Sequence, residues 1–495
     1  MTRKAIPLLS KSRFMSGLQC HRKLYLACHQ PDFATPADAT QQARLDAGSE
    51  VGELARALRP GGVLIDEPYN RHREAVDRTR SLLKDREVRA IYEAGFLEYG
   101  VRIRADILAR SSGKSWDLIE VKSSASTKDE HIPDAAVQLM VVEKAGLTVT
   151  KIGLARMNQD YVYPGGDYEV DQLLTIDDIT DDARAYAEGV ADQLDAMRQT
   201  LAENEPPDIA VGSHCNKPNK CEFYAHCRSR EPEWSIEDLP RLSQGMREDL
   251  RARGVRSILD IPDSVQLSPA QERARQSVMA NKPQASESLF SELNQIVRPA
   301  HFLDFETLMP ALPVYPGTRP YELVPFQWSD HVLHEDGSMS HSEFLAEGHD
   351  DPRAELAEAL IAQLAGAATV VAYGSYEKTC IRSLIKALPD QQSSLERLMA
   401  LPWVDLHKVV QGHYYHRDFH GSFSIKSVLP AIAPEFGYKD LEIQEGSLAS
   451  IAFLESNHPD TNAKRRQQLR GDLLAYCKRD TEAMLRVVEA MQAST

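Results

Sequence analysis

Two periods of apolar residues alternate along this chain. Alternation at every second position between turn formers predicts strands, and recurrence every three to four positions predicts helices. The segment RIRADILARSSGKSWDLIEVKSS predicts a hairpin, with one strand around 101–109, a Ser-Ser-Gly-Lys-Ser turn and a second strand around 116–122. The helical run DAAVQLMVVEKAGL follows, then a strand ending near Asn158 and Tyr161. Further on, AHFLDFET and TVVAY (369–373) predict two more strands, and a helical period runs from about 465 to 491. Between these regions, residues 231–297 are charged, punctuated by Pro and Gly, and carry no strong strand. The pattern divides the chain into 1–230, a helical connector over 231–297, and 298–495. Strands mixed with helices in both end sections predict two α/β domains.

Length agrees, since 495 residues exceed one ordinary core of about 100–200 residues. Apolar residues make up 42% and charged residues 26%, as in a globular chain. No run of about 18 apolar residues predicts a membrane span. The apolar part of the N-terminus is too short and interrupted for a signal peptide, so a cytoplasmic location is expected.

The hairpin carries the first chemistry. Residues i and i+2 of a strand share a face, so Glu120 and Lys122 project together while Ile119 and Val121 face the other way. Asp106 stands on the neighbouring strand. Two carboxylates can hold Mg²⁺ or Mn²⁺ with water in the remaining positions. A lysine beside them can orient the attacking water and stabilise phosphate charge. A solvated hairpin face with an ordinary ion pair is the plain alternative.

Seven cysteines stand at 20, 28, 215, 221, 227, 380 and 477, an odd count that does not read as a disulfide framework. Cys215, Cys221 and Cys227 are clustered in CNKPNKCEFYAHC, which points to a metal site. Zinc would take Cys20, His214 or His226 as a fourth ligand. A [4Fe–4S] cluster needs four thiolates, which Cys20 in QCHRKLYL would complete, with Cys28 as the other candidate. Cys380 and Cys477 sit in apolar helical contexts and read as buried thiols.

A second acid set lies near the C-terminus. HFLDFETL places Asp304 and Glu306 on one strand face, with Leu303 and Phe305 on the other. A helix in SYEKTCIRSLIKAL starts around Glu377, and LLAYCKRDTEAML sets Tyr476 and Asp480 on one helical face. Asp304, Glu306, Glu377 and Asp480 could converge on two divalent ions, with Tyr476 orienting the attacking water. Asp405 is a spare acid, and Ser422, Ser424 and Lys426 offer phosphate contacts. Each piece alone is most often a solvated surface feature; their order along the chain argues otherwise.

Net charge is −16, which disfavours a general polyanion binder. Acidic metal ligands inflate that total, however, and residues 1–30 hold six Lys/Arg (Arg3, Lys4, Lys11, Arg13, Arg22, Lys23) and no acid. A nucleic-acid partner would therefore need a local basic track. Arg251, Arg253 and Arg256 around Gly254 resemble a helix-hairpin-helix; a plain charged connector fits the same stretch.

On these residues, 1–230 resembles the iron–sulfur-bearing RecB-like PD-(D/E)xK nucleases, the group of AddB and the CRISPR-associated exonucleases. The resemblance implies catalytic roles for Asp106, Glu120 and Lys122, with Gln138 as the motif glutamine. It also implies a [4Fe–4S] cluster held by Cys20, Cys215, Cys221 and Cys227 that staples the ends of the domain. Two departures stand out. The first gap of the cysteine triplet is five residues rather than the usual two, and the helix in DAGSEVGELARAL lacks the family's His, leaving Glu50 or Glu53 as substitutes. Residues 298–495 resemble DEDD exonucleases of the ribonuclease H-like fold, tyrosine subgroup, although Tyr376-Glu377 stands where Asn-Asp is usual. Together they imply an α/β chain with a PD-(D/E)xK restriction-endonuclease-like domain and a ribonuclease H-like domain joined by a helical segment. The implied activity is Mg²⁺- or Mn²⁺-dependent exonucleolysis of single-stranded DNA, 3′ to 5′ at the C-terminal site. The alternatives are an RNA exonuclease with an N-terminal binding platform, and a non-catalytic nucleic-acid binder.

Overall fold

The computed structural model describes residues 6–494. Arg3 and Lys4 of the basic run lie outside the described residues. The chain is mixed α/β and divides into two compact units. Unit 1 takes the residues up to Arg230 with Pro310–Glu322; unit 2 takes Glu231–Met309 and the residues from Leu323 on.

In unit 1, seven strands form one sheet: β1 (Leu9–Ser10), β2 (Val63–Leu64), β3 (Ala90–Glu98), β4 (Val101–Arg110), β5 (Ser115–Val121), β6 (Thr148–Met157) and β7 (Leu174–Asp178). The order is β2-β3-β4-β5-β6-β7, with β1 pairing in parallel to the start of β4. β3, β4 and β5 form an antiparallel meander. The helix His131–Lys144 crosses over to β6, which runs parallel to β5. This is the expected hairpin, helix and strand. Lys122 falls one residue past β5, yet its N–H still bonds the Ala155 carbonyl at 2.8 Å, so it keeps the face of Glu120. Apolar residues cover both sheet faces. Ile91, Ile103, Leu118, Leu139 and Ile152 build one core, and Tyr92, Ile107, Ile119 and Met157 build the other with Ala311 and Leu312.

Unit 2 holds a strand pair, β8 (Gln284–Ala285) with β14 (Tyr414–Tyr415), and a five-stranded sheet. The sheet strands are β9 (Ala300–Leu308), β10 (Val324–Leu333), β11 (Met339–Leu345), β12 (Thr369–Ala372) and β13 (Trp403–Asp405), in the order β11-β10-β9-β12-β13. Only β10 runs against the others. The helices Arg353–Gln363 and Tyr376–Ala387 pack on the Leu303/Phe305 face of β9. The last helix, Ala463–Ala493, packs on the Phe302 face through Met484 and Val487.

The expected connector is not a separate segment. Leu250, Ile258, Ala274 and Leu289 join Phe302 and Val371 in one core, so residues 231–297 are part of unit 2. Their short helices are amphipathic and can bury an apolar face only against this sheet layer. The helix-hairpin-helix reading fails too. After the helix Gln244–Ala252 comes only a 3₁₀ turn, Ile258–Asp260. Arg251 and Arg256 pair with Glu231, and Arg253 pairs with Asp249.

Gly421 shows how tightly this segment is joined. Its φ is +78°, and a Cβ there would lie 2.7 Å from the Asp238 carbonyl oxygen. Gly421→Ala is expected to cost about 2–4 kcal/mol through left-handed strain and backbone overlap. Thermal unfolding checks this, and an unchanged midpoint would contradict the close approach.

No helix among the described residues is long and apolar enough to cross a membrane.

Candidate metal centres

The alternation of β9 turns Asp304 and Glu306 toward the last helix, because they share the face of Phe302. Gln327, opposite Glu306 on β10, donates to the Leu473 carbonyl at 3.0 Å and ties that helix to the sheet. The helix then presents Tyr476, Cys477 and Asp480, all buried. One ligand atom each of Asp304, Glu306 and Cys477 lie within 4.8 Å of one another. The Tyr438 hydroxyl donates a short hydrogen bond to Asp480 Oδ1. Lys426 Nζ donates to the Tyr476 hydroxyl at 2.8 Å and to the Gln444 carbonyl at 2.6 Å. Glu377, in the first turn of its helix, is 3% exposed and keeps Oε2 without a hydrogen-bond partner.

The electrostatics are those of crowded acids. Burial, then Asp480, Glu306 and Glu377, push Asp304 well above the carboxylate range. Burial and Asp480 do the same to Glu306 against Lys426. Burial, then Asp405 and Asp480, push Glu377 up to about 7 despite an opposing backbone hydrogen bond. Burial raises Asp480 too, with Tyr438 and Lys426 opposing. The Tyr476 phenol is raised by burial and by Asp480, so it stays protonated and can orient but not deprotonate. Acids gathered with so little compensating charge favour a cation.

The unit 1 centre has the opposite balance. Asp106 on β4 accepts from the Val121 N–H at 2.7 Å. Glu120 is 1% exposed, and its Oε1 accepts from both Lys122 Nζ at 2.6 Å and Lys11 Nζ at 2.7 Å. Gln138 Nε2 donates to Glu120 Oε2 at 2.6 Å. Asp134, one turn before Gln138, accepts from Lys122 at 2.6 Å and lies 3.6 Å from Lys11. Lys11 arrives there because Ser10 pairs with Arg102 of β4 and caps the helix Lys11–Gln19. Glu93 falls level with Asp106, since Tyr92 pairs with Ile107 and Ala94 with Ala105, and its φ is +55°. Burial and Glu120 push Asp106 up to about 7. Burial also opposes the charge on Glu120, but Lys11 and Lys122 outweigh it and hold the carboxyl far below its usual range.

The four cysteines Cys20, Cys215, Cys221 and Cys227 line one small pocket. Cys20 joins the helices Lys11–Gln19 and His21–His29. Gln19 donates to the carbonyls of His214 at 2.9 Å and Asn219 at 2.8 Å, and Lys23 pairs with Glu222 at 3.0 Å, which fastens the two ends of unit 1 together. Burial pushes Cys221 up to about 11; it also raises Cys227, with Arg22 opposing. Among the described residues, no three of these thiols have sulfurs within 4.8 Å of one another. His214 also lines the cavity, His226 stacks on Phe33, and Cys28 packs against the main core.

Asp106, Glu120, Lys122 and Gln138 thus lie together in unit 1, and Asp304, Glu306, Glu377, Tyr476 and Asp480 lie in unit 2. Other candidates make local contacts or face solvent. Glu50 and Glu53 are solvent-exposed on the helix Ala39–Ala55. Asp405 caps the helix Leu406–His413 through the Lys408 N–H. Ser422 bonds Ser427. The sequence reading missed Lys11, Glu93, Asp134, Tyr438 and the place of Cys477. Helical spacing could have found Asp134, four before Gln138, and Cys477, three before Asp480.

A family model described as a domain of unknown function (DUF2779) matches residues 301–424. That span contains Asp304, Glu306 and Glu377 and ends before Tyr476 and Asp480. No curated protein matches the chain.

Proposed function

We propose that this protein is a divalent-metal-dependent exonuclease acting on single-stranded DNA ends, with a two-ion 3′–5′ site in unit 2 and a PD-(D/E)xK site in unit 1. The observation that carries the reading is the approach of Asp304 and Glu306 within 4.8 Å, with the buried acids Asp480 and Glu377 acting on Asp304 electrostatically and a protonated Tyr476 on the same helix as Asp480. The sheet order β11-β10-β9-β12-β13, with β10 alone reversed, supports a ribonuclease H-like domain. The meander, crossover helix and parallel strand of unit 1 support the PD-(D/E)xK reading. Bound divalent ions would supply a water-derived nucleophile and steady the leaving oxygen. Tyr476, whose hydroxyl accepts from Lys426, would orient that water, and Lys426 would offer its charge to the phosphate. In unit 1, Lys122 and Lys11 stabilise phosphate charge beside Glu120.

The cysteine set would hold a [4Fe–4S] cluster whose role is to close unit 1, and seven free thiols fit a reducing, cytoplasmic compartment. Anaerobically purified protein is expected to carry about four irons per chain, and Cys20→Ser to lose them and unfold unit 1 more easily. Stoichiometric zinc in their place would contradict the cluster.

The reading of a nucleic-acid partner draws on an open groove of about 770 Å³ in unit 2, lined by Arg241, Arg273 and Lys408. Among the described residues no carboxylate lines it, in a chain of net charge −16. Arg241→Gln with Arg273→Gln is expected to weaken binding of a single strand in EDTA. It should also flatten the slope of log K against log salt by about 1.4, for two lost phosphate contacts. An unchanged slope would remove the groove from the nucleic-acid path.

Timed digestion of DNA and RNA oligonucleotides labelled at either end, in Mn²⁺ and in EDTA, tests the whole reading. Loss of the 3′ label from DNA in Mn²⁺ is expected. Preference for RNA would favour the alternative in which unit 1 is a platform, and binding without cleavage would reject a nuclease.

A further inference from the structure

Cys477 lies inside the acid cluster of unit 2. Its side chain is fully buried, on the helix that also carries Tyr476 and Asp480. The sulfur stands 3.6 Å from Asp304 Oδ2 and within 4.8 Å of a Glu306 carboxylate oxygen. A buried cysteine is ordinarily a small apolar filler, surrounded by apolar groups. Here the sulfur faces two carboxylates. Glu377, more than nine-tenths buried, adds an unpartnered oxygen whose charge acts on Asp304.

Oxygen ligands alone suit Mg²⁺ and Mn²⁺ alike, whereas a thiolate is a soft donor that Mg²⁺ accepts poorly. We propose that Cys477 is a metal ligand alongside Asp304 and Glu306, and that it biases the unit 2 centre toward Mn²⁺, Fe²⁺ or Co²⁺ over Mg²⁺. On binding, the S–H bond breaks, the proton leaves to solvent and the sulfur lone pair forms the metal bond, with no change of oxidation state. The proposal rests on the reading of unit 2 as a metal centre.

The test uses the full chain, purified anaerobically, as parent, Cys477→Ser, Cys477→Ala and Asp304→Asn. Each is titrated with Co²⁺, Mn²⁺ and Mg²⁺ by calorimetry, with Co²⁺ also followed by near-ultraviolet absorbance. Any signal from the unit 1 thiols is common to all four proteins and cancels in difference spectra. The parent is expected to show a thiolate-to-Co²⁺ charge-transfer band that both Cys477 variants lack. Both variants should bind Co²⁺ and Mn²⁺ about tenfold or more weakly, with Mg²⁺ changed by less than about threefold. If both keep the band and the parent's Co²⁺ to Mg²⁺ ratio while Asp304→Asn loses binding, the thiol assignment falls and the metal centre stands. If Asp304→Asn leaves every isotherm unchanged, the metal centre falls and the proposal with it.

Discussion

Asp304→Asn is expected to do two things that seldom go together: abolish the unit 2 activity and stabilise the metal-free chain. The first follows from removing a ligand that no neighbour replaces, and a loss of about 10³-fold in 3′-end removal is expected. The second follows from charge. The carboxyl of Asp304 is raised by burial and by three neighbouring acids. A folded state that holds a proton more tightly than the unfolded chain loses stability as pH rises between the two values. The penalty is therefore absent in the ordinary carboxylate range and complete above the shifted value. Glu377 is raised likewise, from 4.5 to about 7. Asparagine carries no such charge, so the variant should be measurably more stable than the parent at pH 8 in EDTA, and the gain should fade toward pH 4. Mn²⁺ should reverse the ranking, since an ion bound only by the folded parent stabilises it. Calorimetric unfolding across pH, with and without Mn²⁺, checks all three expectations. An asparagine variant less stable than the parent at pH 8 in EDTA would show that the acids are not crowded as described.

Glu120→Gln is expected to act with the opposite sign. Glu120 is buried between two lysines that hold its carboxyl far below its usual range. Such a group contributes stability that is present above the unfolded carboxylate range and is lost as pH falls toward the shifted value. Neutralising it leaves Lys11 and Lys122 with too few partners, a loss of about 3–5 kcal/mol at neutral pH. The same change should end cleavage by unit 1 while leaving unit 2 active. Urea denaturation at pH 7.5 reads the stability. A neutral or stabilising result would mean that Lys11 and Lys122 do not depend on Glu120.

These two variants expose what differs between the centres. Lys11 and Lys122 already pair with Glu120 and Asp134 in unit 1, so a divalent ion would compete with two ammonium groups for Glu120. In unit 2 the charge of Glu306 and Asp480 is opposed by one lysine, Lys426, among the described residues, and the demand for a cation is greater. Unit 2 should therefore bind Mn²⁺ more tightly than unit 1.

Much of this was legible because it is local. The strand period sets Asp304 with Glu306 and Glu120 with Lys122, and the helical period sets Tyr476 with Asp480. What escaped depends on distant partners. Lys11 lies 109 residues from Glu120, and only the β1–β4 pairing brings it in. The helices of 231–297 look like a connector because each has few apolar residues, whose partners, such as Phe302 and Val404, come later in the chain. Residues 310–322 leave unit 2 between β9 and β10 and complete the second core of unit 1, a crossing that no short window can register. Cys477 was hidden by its apolar neighbours in sequence, although its spacing from Asp480 already placed it on the same helical face.

The most direct test is digestion of single-stranded DNA in Mn²⁺ by the parent, Asp304→Asn, Glu120→Gln and the double variant, following both ends. Each single variant should lose a different part of the cleavage pattern, with Asp304→Asn losing removal from the 3′ end, and the double variant should leave the strand intact. A double variant that degrades DNA as fast as the parent would contradict two carboxylate metal centres in this chain.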